Sequence, residues 1–260
     1  MKYIDTNEID SIGGERLGEN DRFMFDCRKE LICFNRCCHN LNLILYPYDV
    51  IRIKNHLRLS SDQFLDIHVD SVLRNGNYFP DLFLRMSEDE EKSCPFLTDA
   101  GCSIYPDRPG TCRMFPIEQG IVFDGKTQTT SDIFFFRPPT HCLGPKESKV
   151  WAIRSWIRTQ NALPYTHMAV LWAEFKRLFQ MDPWGVEGLN NPKGKMAFMA
   201  IYNIDMFRQF IFNSSFLERY HVPHKVLGKI RKNDTELLKL SFEWVKTYLW
   251  GIPAQIITLR

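Results

Sequence analysis

The sequence predicts an α+β protein, and three observations carry that reading. Cysteine, proline and glycine crowd an irregular stretch in the first half of the chain. Short alternating apolar runs flank that stretch, as half-buried strands require. Beyond Pro145 the apolar residues fall into helical spacing. The expected architecture is an irregular, cysteine-rich region over residues 1–145, organised by metal and carrying short strands. A mostly helical region over 146–260 packs against it, either as a separate part or within one domain. At 260 residues the chain can bury a core without covalent staples.

Residues 1–25 are polar and interrupted by Gly13, Gly14 and Gly18, so they are expected to wrap the surface. Leu41, Leu43 and Leu45 alternate like a short strand. Pro47 suits the first turn of a helix over Tyr48 to Leu57 with Val50, Ile51, Ile53, Lys54 and Leu57 as its stripe. Ser60 and Gln63 have the spacing of a capping box, which opens a second helix running to about His68. Asn75-Gly76-Asn77 marks a turn before a strand through Leu82, Leu84 and Met86, and Ser87 to Glu91 reads as a solvated acidic loop. Asp124-Gly125 suggests a two-residue hairpin turn, and Phe134 to Phe136 a buried strand.

In the second half, Val150, Ile153 and Ile157 predict one helix. Met168, Leu171, Trp172, Phe175 and Phe179 predict another after a break at Pro164. A loop at Asn190 to Gly194 precedes a helix expected over Lys195 to Phe212. The last helix is expected to start with Asp234 as its N-cap and to stop at Gly251 and Pro253. Trp184 belongs to no helical stripe and is expected to cover a cavity or partner surface beside the cysteines.

Charge narrows the function classes. The 33 Lys and Arg against 31 Asp and Glu leave a net +2, which gives no general field for nucleic acid or an anionic membrane. No apolar run reaches the ~18–20 residues of a membrane helix, and the acidic N-terminal stretch lacks the apolar core of a secretory leader. The expected location is cytoplasmic, where thiols stay free unless a metal holds them.

The chemistry is concentrated in eight cysteines. Cys27, Cys33, Cys37 and Cys38 form one group, Cys94, Cys102 and Cys112 a second, and Cys142 follows alone. Thiolates are soft ligands, so these groups point to iron, an iron–sulfur cluster or zinc. The competing reading makes single cysteines small buried hydrophobes. The two-residue spacing of zinc ribbons is absent, while Arg36, Arg108 and Arg113 stand beside the cysteines as candidate donors to sulfur, so iron ranks ahead of zinc. Cys37 and Cys38 would point to opposite sides of an extended backbone and so serve different sites. His39 and His141 are candidate imidazole ligands, whereas His68, His167, His221 and His224 read as structural.

The segment Cys102-Ser-Ile-Tyr-Pro-Asp-Arg-Pro-Gly-Thr-Cys112-Arg-Met-Phe-Pro116, with Cys94-Pro-Phe-Leu before it and the Cys37-Cys38 pair upstream, resembles the YkgJ-type cysteine-cluster family. That family is a zinc- or iron-chelating domain named for a CxxCxxCC start. The segment is also similar to the cysteine-rich part of flagellin lysine-N-methylases. The first group departs from the pattern in the wider spacing from Cys27 to Cys33 and from Cys33 to Cys37. The resemblance implies a metal-binding module with a structural or redox role toward a protein partner. The alternative is a protein lysine methylase using S-adenosylmethionine, with a protein substrate. No glycine-rich nucleotide loop and no local catalytic triad is present, so catalytic and other cofactor-binding residues stay unassigned.

Overall fold

The computed structural model describes residues 2–4, 6–124 and 129–260. Short strands dominate the first half and helices the second, which is the α+β class read from the sequence. The chain divides into two compact units, each assembled from two stretches. Residues 1–43 with 86–174 form the first, and residues 44–85 with 175–260 the second. The boundary drawn near residue 145 falls inside the first unit.

In the first unit, a four-stranded sheet runs in the order Lys2–Ile4, Ile117–Asp124, Thr129–Phe136, Glu15–Leu17. Lys2–Ile4 lies parallel to its neighbour and the other pairs are antiparallel. A further strand, Arg22–Met24, pairs with Val150–Ala152. The stretch 1–25 is therefore more than a surface wrap, because Ile4, Leu17 and Phe23 each bury a side chain while the sheets satisfy their backbone. In the long hairpin Asp124 pairs with Thr129, so Asp124 belongs to a strand and not to the turn. Gly125 and Lys126 lie outside the described residues. Val150 is an exposed strand residue, and the helix expected around it begins only at Ile153.

Phe23, Phe25, Met114, Ile117, Phe134, Ile153 and Trp156 make the core of this unit, with Cys142 packed against it. Trp156 meets Phe23 and Phe25 edge-on at 5.7 and 5.6 Å, and its indole N–H donates to the Met114 carbonyl at 3.0 Å. Edge-to-face pairs of this kind contribute roughly 0.5–1.5 kcal/mol each beyond the area they bury. Phe115 packs against this core as Cys142 does.

The second unit contains the helices Pro47–Leu57 and Ser61–His68, both starting where their caps predict. Ser60 accepts from the Gln63 N–H and Gln63 reaches back to the Ser60 N–H. A three-stranded antiparallel sheet runs Ile44–Leu45, Asp81–Leu84, Val69–Val72. The helix expected over 195–212 is two helices, Pro192–Tyr202 and Ile204–Asn213. Asn203, at ψ 70°, breaks them and caps the second by accepting from the Met206 N–H. In the last helix, Asp234–Trp250, the cap is Asn233. Asp234 instead pairs with Arg208 and Lys54. Gly251 ends that helix in the left-handed conformation at φ 65°, which glycine adopts without strain.

Trp184 overturns its expectation. It is buried in the second unit, donating its indole N–H to the Tyr78 carbonyl with its ring against Phe179. Among the described residues no helix is long and apolar enough to cross a membrane.

Candidate metal centre

All eight cysteines are free and lie in the first unit. Cys27 is exposed and the other seven are half-buried. Local turns set their directions. Asn35, at φ 69°, precedes a 3₁₀ turn over Arg36–Cys38. The pair Cys37-Cys38 is thus coiled and not extended, and the two sulfurs lie 4.0 Å apart instead of on opposite sides.

Backbone bonds draw the separate cysteine stretches together. The Cys94 N–H donates to the Cys38 carbonyl at 2.8 Å, and His39 and Ser93 form a single bridge beside it. Leu97–Thr98 pairs with Gly101–Cys102 in a tight hairpin whose turn requires Gly101 at φ 112°. Asn35 donates its side-chain amide to the Thr98 carbonyl at 3.3 Å, tying the first group to this hairpin. Cys112 sits on the short helix Gly110–Met114. Cys142 arrives from the far side, where Leu143 N–H donates to Cys33 Sγ at 3.2 Å and Asp26 N–H to the Gly144 carbonyl at 3.1 Å. A Cβ at Gly144 would come within 2.4 Å of the Phe25 ring, so only glycine permits this approach.

The result is two neighbourhoods that meet at Cys37 and Cys38. Cys27, Cys33, Cys37 and Cys142 line a small cavity of about 10 Å³ with Leu31, Phe115, His141 and Gly144. Room for one water-sized sphere is of this order, so the space suits a single ion. On the other side, Cys38 is close enough to Cys94 and Cys112 to feel their charge, Cys94 feels that of Cys102, and both Cys94 and Cys102 also feel Cys37, which therefore borders both neighbourhoods.

Although Cys27 is exposed as a residue, it lines the cavity, and desolvation there pushes its thiol up to about 11, with repulsion from Cys37, Cys142 and Cys33 adding to it. Burial likewise raises Cys94, Cys102 and Cys142. Cys37 moves the other way, to about 7, through its hydrogen bond with Cys38, whose thiol is raised in return. Crowded, desolvated thiols resist losing protons one by one, and a cation supplies the charge that offsets them. The donor set thus fits a thiophilic ion. Among the described residues no three His, Cys, Asp or Glu side chains already stand in ligating arrangement, so holding an ion requires the thiols to turn toward it.

The arginines divide. Arg36 is exposed, while Arg108 and Arg113 are buried. Arg108 donates to Gln160 Oε1 at 2.5 Å and to the Tyr105 carbonyl at 2.6 Å, with its guanidinium over the Tyr105 ring. Arg113 donates to the carbonyls of Gln160 and Pro106, each at 2.6 Å, and to the Tyr165 hydroxyl at 3.2 Å. Gln160 and Tyr165 escaped the sequence reading because nothing local links them to residues so far upstream. His141 is exposed at the cavity edge. His39 Nδ1 lies 3.1 Å from Ser93 Oγ and 3.3 Å from Glu91. Both contacts use the same ring nitrogen, so the trio is not a serine–histidine–carboxylate relay.

Residues 26–142 match the model of the CxxCxxCC family, described as "Putative zinc- or iron-chelating domain". Over this segment, less than half of the chain, the sequence is similar to that cysteine-cluster family. The match starts beside Cys27 and ends on Cys142, so the cysteine-cluster domain encloses all eight thiols and the whole arrangement above. That description supports metal binding at the level of zinc or iron. No curated protein and no solved structure matches the chain.

Proposed function

We propose that the cysteine-cluster domain holds zinc or iron through two thiolate sets and serves as a structural or redox module toward a protein partner. One set is Cys27, Cys33, Cys37 and Cys142; the other is Cys38, Cys94, Cys102 and Cys112. The observation that carries this reading is the gathering of cysteines from three distant stretches around the Cys37-Cys38 turn, with four of them lining one ion-sized cavity. Thiols placed only as apolar filler need no such convergence.

The cavity as it stands has room for a single ion, and an iron–sulfur cluster in the first set would need the thiols to move apart. A lysine methylase would need a substrate pocket beside the cysteines, and the cavity here is lined by thiols, Leu31, Phe115, His141 and Gly144.

Metal and acid-labile sulfide analysis of the full chain, grown with iron and zinc and purified without oxygen, tests the proposal. Single zinc or iron ions without sulfide are expected. Inorganic sulfide in proportion to iron would replace single ions by a cluster, and a metal-free protein would refute metal binding itself.

A further inference from the structure

Cys27, Cys33, Cys37 and Cys142 share one cavity of about 10 Å³. Thiols gathered this closely can serve an ion, and they can also join in pairs. Close sulfurs alone do not decide which pair joins. Cys37 and Cys38 have sulfurs 4.0 Å apart. As chain neighbours, however, their Cα atoms are separated by about 3.8 Å, below the roughly 4.4 Å at which the span of a disulfide begins. The turn over Arg36–Cys38 therefore holds these two side by side without fitting a bridge.

Cys33 and Cys142 come from distant stretches, so no such limit applies to them. Leu143, the residue after Cys142, donates its N–H to Cys33 Sγ at 3.2 Å. Cys33 also acts on the Cys142 thiol, both as a neighbouring charge and as a hydrogen-bond partner. The segment that carries Cys142 is pinned in place. Its own N–H donates to the Pro139 carbonyl at 2.9 Å, the Asp26 N–H donates to the Gly144 carbonyl at 3.1 Å, and Gly144 lies against the Phe25 ring. Cys142 itself packs on the core of the first unit. Cys27 lines the same cavity but has no comparable printed bond to either residue among the described residues, and it is exposed.

We infer that Cys33 and Cys142 join as a disulfide when metal-free protein meets a peroxide, which takes two thiols from the cavity and shuts it to metal until a reductant restores them. This rests on the metal-binding reading above and adds to it the redox control of that site. One thiolate attacks the peroxide, whose O–O bond breaks, and becomes a sulfenic acid as the first water leaves. The other attacks that sulfur, forms the S–S bond and displaces the second water. The two sulfurs give up two electrons, the peroxide takes them, and the two thiol protons leave in the waters.

Peptide mapping of the full chain without reductant, after hydrogen peroxide and blocking of the remaining thiols, tests it. With metal removed by a chelator, a stoichiometric amount of peroxide should join the Cys33 and Cys142 peptides more than any other pair, and dithiothreitol should part them. Metal-loaded chain should form the bridge about tenfold more slowly or less, because its thiolates are engaged. Bridged chain should bind less zinc than reduced chain, and dithiothreitol should restore the difference. Unfolded chain in urea supplies the comparison that needs no variant to fold. Short loops close most readily there, so Cys33 should pair with Cys37 ahead of Cys142. The same mixture of pairs in buffer and in urea, or Cys27 or Cys37 as the main partner in the folded chain, would overturn the inference, as would zinc uptake that the bridge leaves unchanged. Reduced chain that binds neither zinc nor iron would sink the metal-binding reading and the metal control together, and the map alone would then decide the pairing.

Discussion

Replacing Lys54 by methionine should destabilise the second unit through charge and hardly at all through packing. Lys54 lies on the Pro47–Leu57 helix with only 5% of its side chain exposed. Its ammonium is 3.1 Å from Asp205, 3.6 Å from Asp234 and 3.0 Å from Asn55 Oδ1. Methionine fills a similar volume, so what is lost is the cation between two half-buried carboxylates. Removing one partner of a buried pair costs about 3–5 kcal/mol, because the other charge stays behind. The cost here is moderated. Arg208 still reaches both carboxylates, and Ser61 donates to Asp205 through its N–H at 2.8 Å and its hydroxyl at 2.9 Å. We expect about 2–3 kcal/mol, which at a urea slope of roughly 3 kcal/mol/M lowers the unfolding midpoint by roughly 1 M. Urea titration followed by far-ultraviolet circular dichroism measures it, and the pair Lys54→Met with Asp205→Asn should fall well short of additive. A midpoint shift below roughly 0.3 M, or simple additivity, would refute the claim that this lysine offsets those carboxylates.

The same network sets an acid limit. Burial works against the charged forms of Asp205 and Asp234, but bonds from Ser61 and Lys54 to the first, and from Asn55 and Arg208 to the second, hold both carboxyls below the ordinary range. Their contribution is complete above a pH of about 4 and is lost as pH falls through the lowered folded values; an Asp234→Asn chain should show a flatter decline in melting temperature below that pH. In the cysteine-cluster domain, Cys102→Ser or Cys112→Ser should release metal and lower the melting temperature together, since coordination contributes to folding free energy; full metal content with unchanged melting in both variants would count against the proposed ligand set. A fragment ending at Gly144 should aggregate, because it lacks Ile153, Trp156 and Ala162 from the core that holds Phe23 and Phe25. A monomeric, metal-loaded 1–144 fragment with cooperative unfolding would show that core to be dispensable.

The sequence by itself determined the features whose physics is local. The Ser60–Gln63 capping box, Pro47 at a helix start and Gly251 at a helix stop each depend on hydrogen bonds or dihedral angles within a few residues, and each stands where its signal is. The cysteine motif was equally legible, because Cys102 to Pro116 carries its pattern without needing a partner segment. Local signals misled where two candidates were adjacent, as at Asn233 and Asp234, since the charge of Asp234 is claimed by Arg208 and Lys54 from other helices. Trp184 looked unpartnered only because Phe179 and the Tyr78 carbonyl are invisible to periodicity. Tertiary structure alone decided which thiols meet. Cys33 accepts from Leu143 N–H across 110 positions of sequence, and Arg108 and Arg113 converge on Gln160 from about half that separation. Such contacts follow from how sheet and core close long loops, and closing a loop leaves no mark on the residues at its ends.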